Sequence, residues 1–407
     1  MIKPVLRLLA TTSMLVSSFC SPTSVFAVTP AFYHFNGTLE RGSWSRAYGV
    51  SADGSTVVGE ILSEHWAGSL GYGEFDGLVW RVGSTPELIK VPRFTSVGVY
   101  AASADGSDIV GMTDIFGGTQ AFRRKAGGAI EPLGALDSTR LDSYANAVSP
   151  DGSIVVGRTA TVGGWEAFRW TESTGMAGLG DLPGGNLDSE ANGISADGSV
   201  IVGAGSTEVG TSPNPVIEAF RWTEAGGMQG LGDLPGGYYG SAASAVSGDG
   251  SIVVGGSGSA NVSSAFRWTE ATGMVELEPL RPGYSSGARA ISMDGAIIGG
   301  EASNGMDAEA VVWNAQNKIM RVSDLLKKVG LDGEQNGYQL KRVTGISADG
   351  TTLVGTANRG SATIGGWGWV AILPRSVYVP EPCGCGALAC AASALLVWRR
   401  GWLRRAA

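Results

Sequence analysis

Seven times along the chain, a short apolar run follows a polar, glycine-containing turn. The runs are two or three residues long, as in Ile154-Val155-Val156 and Val200-Ile201-Val202. A brief unbroken apolar run bounded by turn residues is the pattern of a strand buried on both faces. Each run is preceded by Ser-x-Asp-Gly, beginning at Ser51, Ser103, Ser149, Ser195, Ser247, Ser292 and Ser347. Six residues after each Asp stands a glycine: Gly59, Gly111, Gly157, Gly203, Gly255, Gly300 and Gly355. Asp-Gly is a turn dipeptide between paired strands. The clearest unit, from about Ala191 to Gly237, reads as four strands. Residues 191–195 enter, 200–202 return, and Glu218–Thr223 form a third strand with Phe220 and Trp222 on one face at period two. Gly227-Met228 opens the fourth. The third-strand aromatic recurs at Trp80, Phe122, Phe168, Phe220, Phe266, Trp313 and Trp369.

The Asp-to-Asp spacings are 52, 46, 46, 52, 45 and 55. Units of this size cannot bury their apolar faces alone, so they stack or close into a ring. Four strands per unit and seven units predict an all-β, seven-bladed β-propeller over residues 28–378. An open β-solenoid or a stacked sandwich is the alternative arrangement. The last unit has no fourth strand, whereas the first is preceded by a spare one, Ala31–Phe35. The N-terminal strand is therefore expected to complete the last blade, which leaves no sheet edge open. Residues 322–337 are an insertion with a short helix, opened by Ser323-Asp324 as its expected cap.

The two ends read differently. Residues 1–27 pair basic Lys3 and Arg7 with an apolar stretch and end in Val25-Phe26-Ala27, the pattern of a secretory signal peptide. Residues 379–407 carry Pro380-Glu381-Pro382, an apolar run from 383 to 398, then Arg399-Arg400. Sixteen helical residues reach about 24 Å, short of a full bilayer crossing. With Lys3 and Arg7 set aside, and with them the tail's four Arg and Glu381, the body has a net charge of −13. Such a body disfavours nucleic acid and anionic lipid. Only His34 and His65 are histidines, and the four cysteines lie in the two end segments. No metal site or cofactor is expected. Each Ser-x-Asp-Gly supplies a single carboxylate followed by glycine, which is turn chemistry rather than a calcium loop.

Two resemblances add to this. The tail, through Pro380, Glu381, Pro382, Arg399 and Arg400, resembles the PEP-CTERM sorting signal. That implies export through the inner membrane to the cell surface, outer envelope or extracellular matrix. It also implies a membrane helix before processing and an exosortase-type membrane protease as partner, often alongside exopolysaccharide. Phe168-Arg169-Trp170 and its copies, with Leu-Gly-Asp-Leu-Pro-Gly-Gly at 179–185 and 231–237, resemble the HAF family of extracellular repeats over roughly residues 40–373. No catalytic residue set comes with that resemblance.

Binding residues are sought where the repeat is interrupted. The insertion at 60–77 holds Glu64, His65, Trp66, Tyr72, Glu74, Phe75 and Asp76, a mixture of aromatic and acidic groups that suits a sugar. Tyr238-Tyr239, at a unit junction, offers a second aromatic platform. With no HExxH signature in the chain, the expected function is that of a non-enzymatic surface or matrix protein associated with extracellular polysaccharide. The alternative is a carbohydrate-active propeller enzyme, a hydrolase or lyase, with Glu64, Glu74 and Asp76 as its carboxylates.

Overall fold

The computed structural model describes residues 28–379, apart from 36–43, 63–73, 92–95, 116–117, 208–215, 238–239, 260–261, 333–336 and 360–365. The signal-peptide reading and the tail from Pro380 onward lie outside the described residues. The body is all-β. Antiparallel four-stranded sheets run over 45–89, 97–132, 241–276 and 285–321. An eight-stranded sheet consists of two such units, 143–178 and 184–230, joined by a single parallel bridge between Trp165 and Asp188. The last sheet takes three strands from 338–372 and its fourth, Ala31–His34, from the start of the chain. Ala31 pairs with Ile372 and His34 with Trp369.

The repeat motif explains each unit. In Ser-x-Asp-Gly the buried serine hydroxyl donates to the Asp carboxylate, at 2.7 Å between Ser195 and Asp197. The same oxygen accepts the amide of the first residue of the apolar run, Val200 N–H at 3.0 Å. Asp197 also accepts the Ser199 amide at 3.0 Å. Gly198 sits at φ 72°, in the left-handed region that glycine enters freely. These bonds recur at every copy, so the aspartates are turn residues.

The second glycine has another cause. The first strand of each sheet carries a β-bulge that drives a carbonyl toward its partner strand. A Cβ on Gly203 would lie 1.9 Å from the Glu190 oxygen, and one on Gly157 would lie 1.9 Å from the Tyr144 oxygen. Only glycine fits there.

The apolar runs fill the gaps between sheets. Val155 and Phe168 face the preceding sheet, packing with Val110, Ala121 and Leu133. Val156 faces the next, packing with Ala191, Ile201 and Phe220. Adjacent residues point to opposite faces of a strand, so a strand covered on both sides reads as continuously apolar. The last sheet meets the first in the same way, Val354 and Val370 packing with Phe35, Ala47, Val57, Leu78 and Trp80. Backbone bonds between the turns repeat this order. Ala196 donates to Gly248, Gly248 to Met293, Met293 to Ala348, and Ala348 to Ala52, at 2.8–3.0 Å. Asp53 then donates to Ala104, and Ala104 to Pro150. Pro150 has no N–H with which to continue the series.

The insertion contains the expected helix, Val322–Lys328, but not the expected cap. Arg321 occupies the N-cap position and no side chain bonds the first turn. Burial holds the helix instead. Val322, Leu325 and Leu326 pack between the 285–321 sheet and the last sheet, against Val312, Leu340 and Trp369.

Candidate functional site

The first strand of every sheet packs against the first strand of the next, and Tyr338–Ile346 packs against Ser45–Val50. These strands carry the bulges. In each, the bulged residue lies three positions before the motif serine: Tyr48, Tyr100, Asn146, Asn192, Ser244, Arg289 and Thr344. A bulge re-aims the side chain it carries. Three of these residues tie sheets together. Asn146 donates to the Ala191 carbonyl and Asn192 to the Ala243 carbonyl, each at 3.0 Å, and Thr344 to the Ala47 carbonyl at 2.8 Å. Tyr48 packs edge-on to Tyr100, with centroids 5.3 Å apart.

A second tie lies six positions before the motif serine. Ser45, Ser143, Ser189, Ser241 and Ser286 are buried, and each accepts an amide from the preceding sheet at 2.9–3.1 Å. Ser143, Ser189 and Ser241 also donate back to a carbonyl of the loop that follows that sheet. The equivalent residue in the second unit is Val97; in the last it is Lys341. There the strand carries an additional bulge, between Leu340 and Arg342. The regular tie between the sixth unit and the last is therefore missing, and the helix fills the interior of that junction.

A cavity of about 660 Å³ opens at this irregularity. It is lined by Ser303 and Gly305 to Ala308 from the sixth unit, by Lys341, Arg342, Thr344, Thr356 and Asn358 from the last, and by Arg46 and Tyr48 from the first. A smaller cavity of about 150 Å³ shares Asp307, Ala308 and Lys341 with it and is also lined by Glu309, Ser323 and Gln339. The cavity has a polar, charged wall. Arg46 donates to the buried carboxylate of Glu60 at 2.9 Å, and the Tyr48 hydroxyl donates to the same oxygen at 2.7 Å. Burial, and then the Glu60 charge, raises the Tyr48 phenol well above its ordinary value, so it remains a donor. Lys341 is bonded to Asp307 and, at 2.7 Å, to Gln339. Arg342 lies 3.2 Å from Glu301, which also takes a bidentate contact from Arg289. The rim carries Met306, 98% exposed on a turn closed by Asn304.

The residues named from sequence fall unevenly around this site. Phe75 begins the third strand of the first sheet, and the Arg46 guanidinium lies 5.9 Å from its ring. Asp76 is buried, 3.8 Å from Lys90. Glu64, His65, Trp66, Tyr72, Tyr238 and Tyr239 lie outside the described residues, as do Pro380, Glu381, Pro382, Arg399 and Arg400. Among the described residues no three His, Cys, Asp or Glu side chains gather to hold a metal ion, and no helix is long and apolar enough to cross a membrane. Sequence reasoning missed Arg46, Tyr48, Lys341 and Arg342. The signal was present in register: a variable polar or aromatic residue between small neighbours at one offset, and a serine replaced by lysine at another.

The fold is of the β-propeller type, on its likeness to solved structures. Oligogalacturonate lyase in complex with manganese is 14% identical with a TM-score of 0.51, over 87% of this chain and 98% of that one. Acylaminoacyl peptidase of Pyrococcus horikoshii is 11% identical with a TM-score of 0.52, over 82% of this chain and 52% of that one. TolB from Acinetobacter baumannii is 15% identical with a TM-score of 0.45, over 66% of this chain. The chain spans 63% of that TolB's length. No protein-family model matches the chain, and no curated protein matches it by sequence. At these identities the likeness establishes the fold alone. It nevertheless corrects the expectation of a non-enzymatic, exopolysaccharide-associated protein. The folds that match include those of a lyase and a peptidase, and nothing supports the non-enzymatic role.

Proposed function

We propose that the sheets form a closed seven-bladed propeller and that the chain is a carbohydrate-active enzyme, a hydrolase or lyase, with its substrate in the cavity between the sixth, last and first units. Closure is supported by the bonds across the last junction, which are those of the internal ones: Ala348 to Ala52, Thr344 to Ala47, and Gly368 to Ser45. The enzymatic reading is carried by one observation. Where the repeat breaks, at Lys341, it leaves a polar cavity of about 660 Å³, within the size range of ligand sites. Its groups suit the task. Hydroxyl and amide side chains at Ser303, Thr356 and Asn358 match a polyol. The Asp307 carboxylate can take a proton from a bound sugar and the Tyr48 phenol can give one, while Arg46 and Arg342 offset charge that develops on it. One protein of this fold is an oligogalacturonate lyase. Export and exosortase processing remain part of the proposal, resting on the patterns of the two ends.

The test uses the purified full-length chain and a panel of extracellular polysaccharides. Released reducing ends report hydrolysis, and the ultraviolet absorbance of an unsaturated uronide reports elimination. Turnover is expected, and Tyr48→Phe and Asp307→Asn should abolish it with the fold intact. Turnover that survives both changes would place the chemistry elsewhere, and no release from any polymer would sink the enzymatic reading.

A further inference from the structure

We propose that the larger cavity is a receptor for an anionic saccharide, in which a carboxylate- or sulfate-bearing sugar seats its charge on Arg342. The inference rests on the saccharide reading above and names its substrate class. It follows from a count of charges. Arg46, Lys341 and Arg342 line the cavity, and Arg289 is bonded to the same carboxylate as Arg342. Three carboxylates answer these four cations. Glu60 is taken by Arg46 and Asp307 by Lys341. Glu301 is shared: Arg289 reaches it through both Nε and Nη2, and Arg342 through Nε alone at 3.2 Å. One positive charge is left over.

That charge is available to a ligand. The Arg342 side chain is 45% exposed, and its contact with Glu301 engages only one edge of the guanidinium. A guanidinium presents five N–H donors in a planar fork, suited to bidentate contact with carboxylate or sulfate. The whole chain has a net charge of −8, so an excess cation in a cavity is a local reversal of the molecule's field. Such a reversal focuses anions into the site and away from the rest of the surface. The neutral lining, Ser303, Thr344, Thr356 and Asn358, offers hydroxyl and amide groups rather than an apolar wall, which favours an acidic sugar over a fatty acid.

Calorimetric titration of the full-length protein at low salt tests this with four probes: a trigalacturonide, its full methyl ester, a neutral trisaccharide of glucose, and a sulfated disaccharide. At least one charged probe should bind about tenfold or more tightly than the neutral ones, the worth of one charge-assisted hydrogen bond. Which one it is identifies the group recognised. Arg342→Ala should remove the preference and Arg342→Lys should restore part of it. Arg289→Ala is the sharper variant. It leaves Glu301 to Arg342 alone, cancels the surplus charge, and should weaken binding although Arg289 is not part of the lining. Melting curves confirm that each variant is folded. Equal affinity for charged and neutral probes, or binding indifferent to both arginines, overturns the inference. Charge-selective binding without turnover supports it and sinks the enzymatic reading; turnover without charge selectivity does the reverse.

Discussion

Phe35 is the residue through which closure can be tested. It follows the N-terminal strand and is 3% exposed. Its ring meets Trp80 of the first sheet edge-on at 5.4 Å. It lies so close to the last sheet that a Cβ on Gly368 would be 2.2 Å from its Cδ2. The cluster around it takes Ala47, Val57, Leu78 and Trp80 from one end of the body and Val354 and Val370 from the other. Phe35→Ala removes a whole ring from a packed site, and truncations of this kind cost roughly 3–5 kcal/mol. Phe35→Leu keeps most of the volume and should cost about 1 kcal/mol, as near-isosteric core swaps do. Urea denaturation followed by tryptophan fluorescence and by circular dichroism measures both. In a closed ring the loss acts on the whole body, so one transition should move to lower urea with its slope unchanged. A new early phase of small amplitude, with the main transition unmoved, would mean that the first and last sheets are free ends. A cost below about 1 kcal/mol for Phe35→Ala would refute the packing argument itself.

Three further outcomes follow from the repeat. Ser195→Ala strips the buried Val200 amide of its acceptor and Asp197 of a donor, and should lower unfolding stability by about 1–3 kcal/mol in the same denaturation assay. Gly203→Ala places a methyl group 1.9 Å from the Glu190 carbonyl and 2.8 Å from the Phe220 ring. It should cost roughly 3 kcal/mol, the upper end of overpacking, or prevent soluble expression. The third concerns acid. The Ser199 amide, then the Ser195 and Ser199 hydroxyls, holds the Asp197 carboxyl down at about 2, against about 3.9 in an unfolded chain. A carboxyl with a lower value in the folded state adds stability that is present above about pH 4 and drains away as pH falls toward about 2. Stability measured against pH should therefore fall across that window, and Asp197→Asn should make the fall shallower; an unchanged slope would count against the turn bonds.

The architecture was legible because it is written redundantly. Seven copies of one turn, each followed by an apolar run, announce strands buried on both faces, and Val155 and Val156 face two different sheets as that pattern requires. The spare strand could be read for the same reason, since Ala31–His34 makes good a shortage elsewhere in the chain. The helix was legible in its existence but not in its cap. Ser323 lies within the helix, and the buried Leu325 and Leu326 provide the stability that a cap was expected to contribute.

The site was less legible because the cavity arises from single-residue departures inside the regular strands rather than from the long insertions. A propeller built from near-identical units makes near-identical junctions, so a departure from the shared bonds sets one junction apart. Five serines tie five junctions. Where the sixth unit meets the last, that serine is Lys341, a further bulge accompanies it, and the interior is filled by a helix found at no other described junction. The variable bulge positions tell the same story. Asn146, Asn192 and Thr344 each reach the neighbouring backbone, whereas Tyr48 and Arg289 bond to carboxylates, Glu60 and Glu301, with no such backbone tie among their bonds. These carboxylates also hold the two arginines of the cavity wall. In a repeat protein of this kind, the place to look for chemistry is where one copy stops making the bond that its siblings make.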